Sequence, residues 1–325
     1  MSTFPVSQSV LDAGALAREL ARRYGFAAPV RCRLISRGMN DIYEVKGPDV
    51  HAAAKVARAG KSTDGEFGYE QAYVQHLARA GFAVPTPLPL TDGTPFFAVD
   101  APEGRRQIAL MRWLDGVPLA KTMTTDDARR CGGFLARLHL ASAGFRYPVA
   151  RPLNAEVKLA RRLPLLLEMV GDHRDAAALL SRAAAQVIAR VGALEPAAVP
   201  RGSLHGDFQY ANIMALPGGG LATFDFSDCG QDVLARDLAG FFWRADFDGV
   251  GAALNGAFVA GYDAVRPLSP AERAALPVLR AARHLLITAS MAEFVDRVGP
   301  VPGFDANLRY YLSMIRLHCA EAGLI

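Results

Sequence analysis

The chain has 325 residues, of which 51% are hydrophobic and 21% charged, so it can bury a substantial core and is expected to form about two domains. Its net charge of +4 comes without a run of lysine and arginine, which favours an ordinary solvated surface and argues against nucleic acid as a partner. The four cysteines are isolated from one another, so the spacing of a zinc site is absent.

The N-terminal residues lack the basic and apolar regions of a secretory signal, and no apolar run approaches the ~20 residues that span a bilayer. Isolated cysteines in a chain of this size are typical of a reducing compartment. These features predict a cytoplasmic protein without a membrane partner.

The N-terminal part of the chain alternates between short apolar segments and turns. Helical periodicity from Leu11 to Tyr24 predicts a first helix. The elements predicted after it are strands at 30–36, 41–46 and 51–57, a helix at 64–80, and strands at 95–99 and 107–113. Residues 1–111 are therefore expected to form a five-stranded sheet with one intercalated helix, and Arg105-Arg106 is expected at a hairpin tip.

From Leu114 onward the pattern is helical. Helical periodicity is found at 124–140, 153–169, 172–194, 232–245, 249–263, 270–297 and 305–321. Only the pair 212–216 and 221–226 is predicted as strand. The predicted fold class is α+β with two lobes: a small N-terminal antiparallel sheet lobe with one helix (residues 1–111) and a larger, mostly helical C-terminal lobe (residues 112–325).

One stretch of the C-terminal lobe carries an unusual set of polar side chains. His205-Gly206-Asp207 is followed by Asn212, and Asp225 comes after an apolar segment across the predicted hairpin. In a kinase-type site an aspartate accepts the proton of the attacking hydroxyl, and amide and carboxylate oxygens hold magnesium. We therefore predict Asp207 as the catalytic base and Asn212 and Asp225 as metal ligands.

Other polar residues near this stretch have more than one interpretation. His205 is expected to orient the loop by hydrogen bonding. Asp237 is either a partner of the loop or an ordinary acid at the start of a helix, and the residues alone leave both open. Asp228 and Asp232 could contact a second magnesium or a cationic substrate, but they are more typical of turn formers beside Gly230.

Lys55 lies among small apolar residues in the predicted third strand, where an ammonium group is poorly placed unless it meets a partner. ATP phosphates and a helix carboxylate would supply one, with Glu70 as the candidate and Glu66 as its rival. A lysine that reaches solvent from an edge strand is the alternative. Gly38 and Asn40 lie in a turn whose backbone amides could cradle phosphate oxygens.

Together these residues resemble the superfamily of aminoglycoside phosphotransferases, choline kinases and type II homoserine kinases, and the pattern is closest to the homoserine kinase and stress-response kinase branch. The segments that carry the resemblance are Gly38-Met39-Asn40-Asp41-Ile42-Tyr43-Glu44-Val45, Lys55, Glu70, Met111-Arg112-Trp113-Leu114-Asp115-Gly116, Leu135-Ala136-Arg137-Leu138-His139, His205-Gly206-Asp207 with Asn212, Phe224-Asp225-Phe226 and Asp237-Leu238-Ala239. The resemblance covers nearly the whole chain and implies a protein-kinase-like fold.

The resemblance also implies roles for particular residues. Lys55, held by Glu70, would contact the α- and β-phosphates of ATP, although some relatives prefer GTP. Asp207 would be the base, and Asn212 and Asp225 would bind magnesium. The residues implied to contact the adenine through their backbone are Arg112, Trp113 and Leu114.

The expected activity is an ATP- and magnesium-dependent transfer of the γ-phosphate to a hydroxyl of a small metabolite, such as an amino alcohol, a hydroxy amino acid, a sugar or an aminoglycoside. A Ser/Thr protein kinase of the stress-response type is the first alternative, and a nucleotide-binding regulator without turnover is the second. The expected partner is a small-molecule acceptor, and the protein is expected to be a monomer or a homodimer. The sequence leaves the acceptor open.

Overall fold

The structure is a computed structural model that describes residues 4–121, 123–300 and 302–325. The chain forms two compact units. Unit 1 comprises the residues up to Val117 together with Phe145–Arg151 and Met214–Phe224, and unit 2 comprises Pro118–Gly144, Pro152–Ile213 and Asp225–Ile325. The predicted domains 1–111 and 112–325 differ from these units mainly in the two later segments of unit 1.

Unit 1 is built on a five-stranded antiparallel sheet with the strand order β1-β2-β3-β5-β4, which confirms the predicted N-terminal sheet. Its elements are α1 (Ala13–Tyr24), β1 (Arg31–Arg37), β2 (Asn40–Lys46), β3 (His51–Ala57), α2 (Asp64–Arg79), β4 (Phe97–Ala101) and β5 (Gly104–Arg112). Strand β3 pairs with β2 on one side and with β5 on the other, so it is not an edge strand.

Successive side chains of β3 point to opposite faces of the sheet. Ala54 and Val56 belong to an apolar cluster that includes Leu16 and Leu20 of α1. Lys55 therefore points to the other face. Phe67 of α2 packs there against residues of β3 and β5.

Arg106 corrects one expectation, because it does not lie at an exposed hairpin tip. Its side chain is fully buried at the start of the buried run of β5, whereas Arg105 is exposed. The Arg106 guanidinium pairs with the buried Asp41 at 2.7 Å and donates to the carbonyl of Ala57 at 2.9 Å. A buried charge is tolerated when it is paired and hydrogen-bonded in this way.

Unit 2 contains most of the helices, as predicted for the C-terminal part of the chain. The helices that follow α2 are α3 (Thr125–Ser142), α4 (Ala155–Val170), α5 (Arg174–Gly192), α6 (Ala235–Phe247), α7 (Gly251–Asp263), α8 (Pro270–Val298) and α9 (Phe304–Glu321). Apolar faces of α4, α5, α8 and α9 share one buried cluster. No helix within the described ranges is both long and apolar enough to cross a membrane.

The short strands after β5 are β6 (Val117–Pro118), β7 (Arg201–Leu204), β8 (Ile213–Ala215), β9 (Leu221–Thr223) and β10 (Gly230–Val233). The predicted pair corresponds to β8 and β9, but β7 and β10 also pair, with Leu204 opposite Gly230. The expectation of only one strand pair was therefore wrong, and the helix predicted from residue 232 begins at Ala235. Strands of four residues are too short to show a clear period.

A buried polar cluster joins α6, α8 and α9. Asp246 of α6 accepts a hydrogen bond from Arg280 Nε at 2.8 Å and lies 3.4 Å from His284 Nε2 and 3.3 Å from His318 Nε2. Burial acts to raise the pKa of Asp246, but the contacts with His284, His318 and Arg280 outweigh it and hold that pKa below its ordinary value. The cluster therefore links α8 to both α6 and α9.

Candidate active site

The predicted catalytic loop runs from His205 to Asn212, between β7 and β8. Gly206 has a φ of 84°, and a Cβ at this position would lie 1.8 Å from the carbonyl oxygen of Asp228. Only glycine combines the left-handed conformation with so close an approach. The loop therefore contacts the backbone of the segment that carries Asp225 and Asp228.

Asp237 is a direct partner of this loop. Its buried carboxylate accepts hydrogen bonds from the backbone N–H groups of His205 and Gly206, both at 2.8 Å, and lies 3.2 Å from Nε2 of His139 on α3. Burial acts to raise the pKa of Asp237, but the contact with His139 and the other interactions lower it below its ordinary value. Of the two interpretations of Asp237, the geometry supports the partner of the loop.

His205 supports the loop from inside. The ring is fully buried, and its Nδ1 accepts a hydrogen bond from the backbone N–H of Asp207 at 3.3 Å. It also packs on Phe226, with the ring centroids 4.4 Å apart. These contacts agree with the orienting role expected for this imidazole.

The structure brings Asp207 and Asn212 into contact. Asp207 Oδ2 accepts a hydrogen bond from Asn212 Nδ2 at 2.9 Å and one from Gln209 Nε2 at 3.2 Å. Burial raises the pKa of Asp207 above its ordinary value; the charge of Arg283 opposes this shift, and the charges of Asp228 and Asp225 add to it. A carboxylate with a raised pKa is a stronger base once it is ionised.

Asp225 adopts a left-handed backbone conformation, with a φ of 62°. This conformation is uncommon for residues other than glycine and is found at functional sites more often than elsewhere. Its Oδ1 accepts a hydrogen bond from Ser227 Oγ at 2.6 Å, which fixes the carboxylate. Because the charge of Asp225 acts on Asp207, these two predicted residues lie close enough to interact.

The predicted metal ligands offer suitable atoms. Asn212 is an amide whose Nδ2 donates to Asp207, and Asp225 is a carboxylate whose Oδ1 accepts a hydrogen bond from Ser227. Amide and carboxylate oxygens are the ligands that Mg²⁺ prefers in proteins. The donor set therefore fits a hard divalent cation.

Lys55 and Glu70 form a buried ion pair in unit 1, and each residue is only 3% exposed. Glu66 has another role, since its side chain accepts a hydrogen bond from the Thr63 N–H at 2.9 Å in the capping box of α2. Of the two candidate carboxylates, Glu70 is therefore the one that pairs with Lys55. The alternative of a lysine at a sheet edge does not fit a central strand.

Gly38 and Asn40 lie at the turn between β1 and β2. The Gly38 N–H donates to the Asn40 carbonyl at 3.1 Å, and the Gly38 carbonyl accepts from Arg58 at 3.1 Å. Gly38 is exposed, and a Cβ at this position would have no atom within 4 Å. The turn is open on the side of Gly38.

The predicted adenine-binding segment begins at Arg112, the last residue of β5. The Arg112 N–H donates to the Thr86 carbonyl at 2.8 Å, and the Trp113 ring stacks on His51 with a centroid separation of 4.6 Å. Leu114 lines a cleft of about 520 Å³ in unit 1. The other lining residues are Trp113, Asp115, Gly116, Val117, Met214, Ala215, Leu216 and Pro217.

Arg283 of α8 is a site residue that the sequence did not reveal. Its guanidinium forms an ion pair with Asp207 Oδ1 and lies 5.4 Å from the centroid of the Trp243 ring. Arg283 is buried, as are the apolar residues Ala282 and Leu286 near it in the sequence of α8. An arginine on an apolar helix face is a signal that could have been used, although its partner lies 76 positions away.

Comparison with known proteins identifies the family. Residues 31–276 match the phosphotransferase enzyme family. The chain belongs to this family. A protein of Deinococcus radiodurans without an assigned function is 35% identical over an alignment of 326 positions, which covers 98% of this chain and 94% of that protein. The homoserine kinase of Methylorubrum populi is 35% identical over 231 residues, which cover 70% of this chain and 68% of that protein.

Solved structures with similar folds are also kinases. A microcompartment-associated aminopropanol kinase has a TM-score of 0.79 and 22% identity, with 96% of this chain and 99% of that one covered. The amicoumacin kinase hAmiN, in complex with AMP-PNP, Ca²⁺ and Ami, has a TM-score of 0.78 and 18% identity, with 94% and 93% covered. The predictions of a protein-kinase-like fold and of a phosphotransferase are confirmed.

Proposed function

We propose that this phosphotransferase uses ATP and magnesium to phosphorylate a hydroxyl of a small metabolite. The observation that carries the proposal is the contact of Asp207 with Asn212 in a loop that Asp237 holds through two backbone hydrogen bonds. The similarity to homoserine kinases supports a small-molecule acceptor in preference to a protein. The amicoumacin kinase complex, which holds AMP-PNP and Ca²⁺, supports the use of a nucleotide and a divalent cation.

Asp207 has the central role in the proposed mechanism. Its carboxylate accepts a hydrogen bond from the acceptor hydroxyl and takes the proton as that oxygen attacks the γ-phosphorus of ATP. The bond between the γ-phosphorus and the bridging oxygen then breaks, and ADP leaves. The hydrogen bonds that Asp237 and His205 make with the loop keep Asp207 in place for this proton transfer.

Other residues bind and orient the nucleotide in this proposal. Asn212 and Asp225 hold Mg²⁺, which neutralises charge on the phosphates when it is bound. Lys55 contacts the α- and β-phosphates, and Glu70 keeps its ammonium in place. The turn with Gly38 and Asn40 contributes to phosphate binding. The residues proposed to contact the adenine are Arg112, Trp113 and Leu114.

The proposal is tested with an Asp207→Asn variant, which keeps the size of the side chain and removes its basicity. We expect magnesium-dependent binding of an ATP analogue to be retained and phosphorylation of hydroxyl acceptors to fall by about 10²- to 10⁴-fold. Phosphorylated metabolites are detected by mass spectrometry after incubation with ATP. Turnover of Asp207→Asn close to that of the parent protein would contradict the assigned role.

A further inference from the structure

Arg283 of α8 contacts a different oxygen of Asp207 than the neighbouring loop residues do. Asn212 and Gln209 both donate to Oδ2 of Asp207, whereas the Arg283 guanidinium pairs with Oδ1 and lies 3.4 Å from the Gly206 carbonyl oxygen. Both oxygens of the proposed base are therefore engaged. To receive a hydrogen bond from an acceptor hydroxyl, Asp207 has to share or release one of these contacts.

An arginine beside a catalytic base has a cost for the reaction. The ion pair occupies Oδ1 of Asp207, so this oxygen is not available to the acceptor hydroxyl while the pair lasts. This arrangement suits the reaction when the guanidinium has a second anion to bind once the acceptor is present.

Arg283 has a hydrogen-bond donor left for such an anion. Its Nε–H is buried and donates to no atom within the described part of the chain, although the neighbouring NH₂ group is paired with Asp207. The Nε–H and the NH₂ group of an arginine form a planar pair of donors that matches a carboxylate. The Trp243 ring beside the guanidinium limits its movement.

The acidic side chains near Asp207 affect which acceptors can bind there. Asp225 and Asp228 act on Asp207 and make this part of unit 2 acidic, and ATP adds more negative charge. A purely cationic amino alcohol would be attracted there without any arginine. An acceptor that carries an acid group would be repelled unless a cation faces it.

We propose that Arg283 binds the acid group of the acceptor, so that the preferred substrates are carboxylates with a hydroxyl group, such as hydroxy amino acids. This inference rests on the proposed kinase function and specifies its substrate class. Arg283 is then a specificity-determining residue, and it releases Asp207 to the hydroxyl as it binds the carboxylate.

The test compares hydroxy amino acids with the amino alcohols that differ from them only by loss of the carboxylate. The pairs are homoserine and 3-aminopropan-1-ol, threonine and 1-aminopropan-2-ol, and serine and 2-aminoethanol. For the pair that is phosphorylated best, we expect kcat/KM of the amino acid to exceed that of the amino alcohol by about 10-fold or more.

Arg283→Met should lower kcat/KM for the amino acid by about 10- to 100-fold more than for the matching amino alcohol, and this excess loss should lie mainly in KM. Arg283→Lys keeps the charge without the planar pair of donors, so it should restore part of the preference and replaces Arg283→Met if that variant does not fold. Arg273→Met is the matched control, because it removes the same charge from an exposed position of the same helix.

Two results would overturn the inference and leave the kinase function intact. One is a preference for amino alcohols, sugars or other acceptors without an acid group. The other is an equal loss of activity on both members of a pair in Arg283→Met, because this would mean that Arg283 only orients Asp207. Failure to phosphorylate any hydroxyl acceptor in a broad metabolite panel would refute the proposed function itself.

Discussion

Replacement of Gly206 by alanine tests how closely the position of Asp207 depends on the loop backbone. A Cβ at Gly206 would lie 1.8 Å from the Asp228 carbonyl oxygen, so the two segments must separate by about 1.2 Å before the contact reaches 3.0 Å. A displacement of about 1 Å in a catalytic group can cost ~10²-fold in rate. We therefore expect Gly206→Ala to lower kcat by about 10²-fold.

Gly218→Ala separates this effect from backbone strain. Gly218 has a φ of 86°, close to the 84° of Gly206, but a Cβ there has no atom within 4 Å. Both variants should lose ~1–2 kcal/mol of unfolding free energy from the left-handed conformation. Only Gly206→Ala should lose more unfolding free energy than this, and only this variant should also lose activity.

The assays are urea denaturation, followed by circular dichroism, and steady-state kinetics on the best acceptor. Nucleotide binding, measured by calorimetry, checks that each variant keeps its fold. Equal losses of stability and activity in the two variants would refute the reasoning. They would mean that the contact between Gly206 and Asp228 does not determine the position of Asp207.

Three further predictions follow from the buried polar groups. Asp237→Ala leaves two backbone N–H groups unpaired, so it should lower the free energy of unfolding by ~3 kcal/mol or more in urea denaturation. The control is Asp296→Ala at an exposed position, which should change this free energy by less than ~0.5 kcal/mol. Glu70→Gln weakens the buried pair with Lys55 and should raise the Kd for an ATP analogue by about 10-fold in calorimetry; an unchanged Kd would argue against that pair in nucleotide binding. The pKa of Asp246 is lowered in the folded state, so the ionised carboxylate contributes its full stabilisation above the ordinary pKa of 3.8 and loses it as the pH falls below that value. The stability of Asp246→Asn should therefore depend less on pH in this acid range than the stability of the parent protein, as measured by acid unfolding.

The local features of the fold and the site could be predicted from the sequence. Much of the sheet of unit 1 follows from short β-branched and small apolar segments separated by turn residues, which favour pairing of strands that follow one another in the chain, as in β1-β2-β3 and β4-β5. His205, Asp207 and Asn212 lie within a single loop, so the chemistry that their spacing indicates could be predicted without knowledge of the fold. Lys55 could be recognised because an ammonium group among alanines needs a partner.

Some details were also present in the sequence but needed a further rule. Thr63 and Glu66 are spaced as in a capping box, which explains why Glu66 serves the start of α2 and Glu70 is left for Lys55. The run of buried residues in β5 includes Arg106, and an arginine at a core position indicates a buried acid elsewhere in the chain. The sequence alone does not say that this acid is Asp41.

The tertiary structure decided which distant groups meet. Asp237 binds the loop at His205 from 32 positions away, Arg106 reaches Asp41 across 65 positions, and Arg283 reaches Asp207 across 76. The periodicity of apolar residues indicates that one face of a helix or strand is buried. The residues against which that face packs depend on the tertiary arrangement of the elements. The sequence by itself therefore predicted the phosphotransferase chemistry of the loop, and the packing of α6 and α8 determined which distant side chains contact it.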